Sequence, residues 1–213
     1  VAAGTAGFQL GDYATAANLT VIRGGAAGIS LGVGSTLDGC TVSLTNGDGV
    51  AAPGGYVSIA NCVIDAPGGA GISTAGRAVV RDSIVRNAGG HGIIGGGGSV
   101  IRNNLISGSG QTTTTASDGI NVTVGTIVTG NAVRGGLGDG IETTSTGNLI
   151  TGNDLTSNAG TGVIGANNTV ILFNSFRNNG TVIGGGSTNV TGETLITSVN
   201  DSTNTIPLHN YTP

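Results

Sequence analysis

Residues 140–163 read GIETTSTGNLITGNDLTSNAGTGV, and this stretch decides the fold. It opens on Gly140-Ile141 and closes by starting the same Gly-apolar step again at Gly162-Val163. The step also stands at Gly28-Ile29, Gly49-Val50, Gly71-Ile72, Gly92-Ile93 and Gly119-Ile120. Successive intervals are 21, 22, 21, 27, 21 and 22 residues. A fixed period of this size marks one supersecondary unit repeated, each copy too small to bury its own apolar face.

Three further columns keep the period. Cys40, Cys62, Ser83, Asn104, Asn131, Asn153 and Asn174 follow each glycine by 12 or 13 residues. Three residues before them stand Leu37, Ile59, Val80, Ile101, Val128, Ile150 and Ile171. Two residues after them stand Val42, Ile64, Val85, Ile106, Val133, Leu155 and Phe176. These are short β runs with period-2 alternation, punctuated by Gly, Asn and Asp. No window carries a sustained helical stripe. Stacked coils place equivalent columns about 4.8 Å apart as parallel, in-register strands. The aliphatic columns then fill one narrow core, and Asn104, Asn131, Asn153 and Asn174 form a hydrogen-bonding ladder. The glycines are expected at turns that need positive φ.

Segments such as Val100-Ile-Arg-Asn-Asn-Leu-Ile106 and Asn148-Leu-Ile-Thr-Gly-Asn-Asp-Leu155 resemble the coil repeat of the right-handed parallel β-helix proteins, the pectate-lyase-like superfamily. The resemblance covers roughly residues 18–183. It implies an all-β solenoid of about eight coils. For function it implies little, because that superfamily holds lyases, hydrolases, epimerases, tailspikes, adhesins and plain structural stalks.

The expected organisation is one domain: a parallel β-helix over 1–183, with 1–17 an incomplete first coil. A C-terminal strand and tail over 184–213 is expected to cap the helix or contact another subunit. Residues 111–117 lengthen one coil to 27 residues and map to a loop on one face. The chain has 213 residues and a formal charge of −4, with 8% charged residues and no Trp or Met. That charge leaves no electrostatic footprint for nucleic acid. No apolar run approaches the roughly 18 residues of a membrane span. The abundance of Thr, Asn, Ser and Gly suits an extracellular, cell-surface or virion protein. No basic-then-apolar leader opens the chain, so it reads as a processed chain or a piece of a longer one.

Cys40 and Cys62 share a column on adjacent coils, within disulfide range. They read first as small stacked core residues and second as a disulfide. The residues just before the repeat glycines form another column, with His91, Asp118 and Asp139 on successive coils and Glu142 nearby. A histidine and carboxylates on one face are an inventory for general acid and base chemistry on a glycoside. Gly90-His91-Gly92 resembles a short motif of pectin-degrading β-helix hydrolases. No Asp-Asp step precedes it and no Arg-x-Lys follows, which sets the resemblance aside. The alternative reading is that Asp-Gly and His-Gly are turn dipeptides bonding their own backbone. No cofactor is expected; Ca²⁺ between Asp118 and Asp139 is the one metal considered. Arg81 and Arg102 share a column, as do Arg86, Arg134 and Arg177, and both read as solvated faces with local ion pairs. Tyr13, Tyr56 and Tyr211 are scattered along the chain and offer no aromatic platform.

The expectation is therefore a non-catalytic structural protein: the subunit of a surface fibre or filament, or the shaft of a phage spike. Its partner is itself, stacked end to end, with polysaccharide as a second partner. The inventory leans against catalysis. The alternative is a carbohydrate-active enzyme or binding module on an acidic polysaccharide, using His91, Asp118, Asp139 and Glu142.

Overall fold

The computed structural model describes residues 5–112 and 117–192, together with the backbone of 195–196. All its regular elements are strands, wound into a right-handed parallel β-solenoid of nine coils. Each coil gives one strand to each of three parallel sheets, and each sheet runs through all nine coils in register. In coil 7, for example, the strands are Ile141–Thr143, Leu149–Thr151 and Asp154–Thr156.

The ladder is longer at both ends than the Gly-apolar columns mark. Ala6–Leu10, Thr15–Ala17 and Thr20–Ile22 form coil 1, paired in register with coil 2. Thr181–Gly185, Val190–Thr191 and Leu195–Ile196 continue it as coil 9. The remainder of the terminal tail, read as a cap or subunit contact, lies outside the described residues.

Every aliphatic column predicted from the repeat points inward. Leu37, Ile59, Val80, Ile101, Val128, Ile150 and Ile171 are fully buried on the second sheet. Val42, Ile64, Val85, Ile106, Val133, Leu155 and Phe176 line the third, and Ile29, Val50, Ile72, Ile93, Ile120, Ile141 and Val163 the first. Each such side chain contributes roughly 1.5–3 kcal/mol on leaving water.

The repeat glycines do a different job from the one expected. None of Gly28, Gly49, Gly71, Gly92, Gly119, Gly140 or Gly162 has a positive φ. They are glycine because a β-carbon would strike the third sheet. At Gly119 it would meet Val133 and lie 2.7 Å from the Gly140 carbonyl oxygen; at Gly162 it would meet the Phe176 ring. The positive-φ work falls to other residues. It is done at the corners between sheets, by residues such as Tyr13, Gly34, Tyr56 and Arg77 between the first and second sheets.

Candidate functional site

The column before the repeat glycines lies where the chain enters the first sheet. Its side chains Asp48, His91, Asp118 and Asp139 each accept a backbone N–H from the coil above. Asp48 Oδ1 accepts from Ala70 at 2.8 Å, His91 Nδ1 from Asp118 at 2.9 Å and Asp118 Oδ1 from Asp139 at 3.0 Å. Asp139 Oδ1 accepts from Thr161. The expected turn bonds within the same coil are thus replaced by bonds between coils. Parallel stacking brings the equivalent amide within about 4.8 Å, a distance a short side chain spans.

Asp118 and Asp139 differ from Asp48 in what stands beside them. Asn121 and Glu142 are paired neighbours on the outer face of the first sheet. The Asn121 amide donates to Asp118 Oδ2 at 3.0 Å and to Glu142 Oε2 at 2.8 Å. His91 Nδ1 lies 3.4 Å from Asp118 Oδ2, with side chains 29% and 5% exposed. Nδ1 already accepts the Asp118 N–H, so the neutral ring carries its proton on Nε2. The contact with Oδ2 becomes an ion pair only when Nδ1 is protonated as well, which takes away that N–H acceptor.

Asp118 is shifted in the opposite direction from Asp139 and Glu142. For Asp118, burial opposes ionisation. Hydrogen bonds from His91, Asn121, the Asp139 amide and Glu142 outweigh it, and its carboxyl is held below the usual range. The His91 contribution needs a proton on Nδ1; the Asn121 and Asp139 donors act in either state. Glu142 is pushed up by burial first, then by its hydrogen bond to Asp118 and by the charges of Asp118 and Asp139, with His91 opposing. Asp139 is also pushed up by burial, against the bond from Thr161 and reinforced by the Asp118 charge. Of the Asp118–Glu142 pair, Asp118 is the more readily ionised and Glu142 the less.

The structure thus joins His91, Asp118, Asp139 and Glu142 around Asn121. The sequence signal for Asn121 was its offset, two residues past a repeat glycine, the same as Glu142. Among the described residues, no group of three or more His, Cys, Asp or Glu side chains is placed to hold a metal ion.

The inside of the other corner is built from the predicted Asn ladder. Asn104 N–H is accepted by Asn131 Oδ1, Asn131 N–H by Asn153 Oδ1 and Asn153 N–H by Asn174 Oδ1, each at 2.9 Å. Ser83 and the cysteines continue the same role. Ser83 Oγ accepts the Cys62 N–H at 3.1 Å, and Cys40 Sγ the Leu19 N–H at 3.4 Å. Cys40 and Cys62 are free and buried, with the Cys62 thiol pushed up to about 11, mainly by burial. A second ladder, unrecognised in the sequence, runs through Asn158 and Asn179.

The arginine columns carry local ion pairs, Arg81–Asp82 at 2.8 Å and Arg86–Asp65 at 3.4 Å, all well exposed. Of the lengthened coil, residues 113–116 lie outside the described residues. Thr112 Oγ1 donates to Gly68 O at 3.3 Å, two coils below. The tyrosines are not scattered: Tyr13 and Tyr56 occupy one corner column two coils apart, and Arg77 covers the Tyr56 ring. Tyr211 lies outside the described residues.

A family model described as a right-handed beta helix region matches residues 6–163 and 53–206. This chain belongs to the right-handed β-helix family. Among solved structures, this β-helix is similar to pectate lyase Pel9A (TM-score 0.67, 15% identity), covering 90% of this chain and 56% of that one. It is also similar to a tailspike protein mutant of E. coli bacteriophage HK620 in complex with pentasaccharide (TM-score 0.64, 14% identity), covering 88% and 44%. A third is the A-module of Azotobacter vinelandii mannuronan C-5 epimerase AlgE6 (TM-score 0.55, 13% identity), covering 82% and 65%. The chain spans about half the length of these proteins, and at such identities the likeness is one of fold. No curated protein matches the chain.

Proposed function

We propose that this β-helix is the shaft of an extracellular or virion-borne spike that holds polysaccharide along its side without turning it over. The observation that carries the reading is the shared role of Asp48, Asp118 and Asp139. All three carboxylates bind backbone amides of the next coil, and Asp48 does so with no acidic neighbour in the cluster. Carboxylates tied to the scaffold in this way are poor candidates for moving between proton states in a reaction. Glu142, Asn121 and His91 Nε2 remain as groups that can exchange hydrogen bonds with sugar hydroxyls. The rod itself is stiffened by three continuous sheets and by side-chain ladders at the corners. Coil 1 is the terminal strand of all three sheets among the described residues. End-to-end stacking of a second copy, as in a fibre, belongs to the same proposal.

One observation favours catalysis instead. Asp118 and Glu142, bridged by Asn121, are pushed in opposite directions, the separation that assigns acid and base roles. In that reading Glu142 is the proton donor to a glycosidic oxygen and Asp118 the ionised partner.

The test is a panel of neutral and uronate-bearing polysaccharides, with binding read by calorimetry and turnover by new chain ends. Binding without new ends is the expected result. New ends that vanish in Glu142→Gln would establish the enzyme, and absence of binding across the panel would overturn both readings.

A further inference from the structure

The corner between the first and second sheets is turned by left-handed backbone residues. Glycine serves there at Gly34, Gly98, Gly125 and Gly147. Coils 1, 3 and 4 instead use Tyr13 at φ 54°, Tyr56 at φ 56° and Arg77 at φ 48°. A β-carbon raises the energy of this conformation, and aromatic residues rarely adopt it. Burial offers no compensation here, since Tyr13 is 80% exposed and Tyr56 55%. Residues held in a costly backbone, with side chains turned to solvent, point to a contact outside the chain.

The three side chains are also aligned. The Tyr13 N–H donates to Val33 O at 2.7 Å and the Tyr56 N–H to Gly76 O at 3.0 Å, so one hydrogen-bonded column carries them. The Tyr13 ring lies against Gly34, where a β-carbon would come 2.6 Å from Tyr13 Cδ1. Two coil rises separate the tyrosines, about 9.6 Å at the strand spacing. The Arg77 guanidinium carbon sits 5.1 Å from the Tyr56 ring centroid. Among the described residues it forms no ion pair with a carboxylate. At the other end Asp12 Oδ1 accepts the Val33 N–H at 2.8 Å, leaving its second oxygen as an acceptor beside Tyr13.

We propose that this corner is a glycan-binding strip, distinct from the first-sheet cluster. Pyranose faces stack on Tyr13 and Tyr56, and Arg77 receives the carboxylate of a uronate residue. The strip is aromatic and cationic at Tyr56–Arg77, and hydrogen-bond accepting at Asp12. It therefore fits an extended polysaccharide that mixes neutral and uronate sugars. The inference rests on the polysaccharide-directed reading above, and it names a second place where the sugar is held.

The chain has three tyrosines and no tryptophan, so stacking on Tyr13 and Tyr56 reads directly in tyrosine emission. The probes are oligogalacturonate, oligomannuronate and neutral maltohexaose, titrated into the full chain. Tyr13→Gly and Tyr56→Gly place at the corner the residue its backbone prefers. Both are expected to melt at or above the wild-type temperature while each weakens uronate binding roughly tenfold. Arg77→Gln is expected to weaken uronate binding and leave any maltohexaose binding unchanged. If the wild type binds and both tyrosine variants bind equally well, the strip is refuted while the shaft reading stands. If the wild type binds none of the probes, the strip falls. If the tyrosine variants instead abolish a concentration-dependent dimer in light scattering, the occupant is a second copy of the chain and the glycan assignment is wrong.

Discussion

Removing the Asn131 side chain tests whether the ladder holds the coils together or merely decorates them. Asn131 Oδ1 accepts both the Asn104 backbone N–H at 2.9 Å and the Asn104 amide at 3.0 Å. Asn131 Nδ2 donates to Ile101 O, Thr129 O and Asn153 Oδ1. In Asn131→Ala the Asn104 N–H is left buried with no acceptor, a cost of about 1–3 kcal/mol. The Asn104 amide keeps Val80 O alone. Loss of the remaining bonds adds about 1 kcal/mol each, partly relaxed, so the expected total is about 3–5 kcal/mol. For a chain of this length that lowers Tm by roughly 10 °C.

The column supplies its own comparison. Ser83 Oγ accepts the Cys62 N–H at 3.1 Å and donates to Arg81 O at 2.9 Å. Asn131→Ser should keep part of this pattern and cost about 1–2 kcal/mol. The assay is urea unfolding followed by circular dichroism, with hydrogen exchange over residues 100–107. A solenoid can open locally, and exchange reports that where a global transition does not. An Asn131→Ala protein within 1 kcal/mol of wild type, or an Asn131→Ser protein equally damaged, would refute the reasoning.

Three other changes follow from specific contacts. Glu142 has its folded titration raised from the ordinary 4.5, so its stabilising protonated form is fully present below that value and is lost as pH rises through the folded value. Glu142→Gln should therefore raise Tm at pH 7, with the gain fading below pH 4.5; a gain that does not change with pH refutes this. Ser109 Oγ is buried with no hydrogen-bond partner among the described residues, facing Gly136 at a break in the Asn158–Asn179 ladder. Ser109→Ala should stabilise by about 1 kcal/mol in thermal melts, and a loss of that size would show that the hydroxyl is satisfied. Gly119→Ala should cost about 3 kcal/mol, because its β-carbon meets Val133 and the Gly140 carbonyl; a neutral result would mean the coil shifts to make room.

The fold was legible because each of its constraints is written many times over. Ile101 is one of seven aliphatic residues at the same offset, and Asn131 one of four asparagines, so the core and the first ladder survive any single ambiguity. The steric reason for the glycines was not legible, since nothing in Gly119 itself says that Val133 packs under it. The corners were hidden for a sharper reason. Tyr13, Leu44 and Phe173 occupy left-handed positions against their own preference, so a search for Gly, Asn and Asp passes over them. Tyr13 and Tyr56 looked remote at 43 residues apart, yet 43 is one period of 21 plus one of 22.

The site poses the opposite problem, because it occurs once. Asp48, Asp118 and Asp139 are identical in residue type and in column, and each takes an amide from the coil above. What separates them stands three residues on, where the outward position of the first sheet holds Ala51, Asn121 and Glu142. Ala51 gives Asp48 nothing to titrate against. Asn121 and Glu142 draw Asp118 into a hydrogen-bonded cluster, with the Asp139 charge beside it. The distinction lies in an intersection of two columns, and only the register of the first sheet, Asn121 on Glu142, makes that intersection a contact.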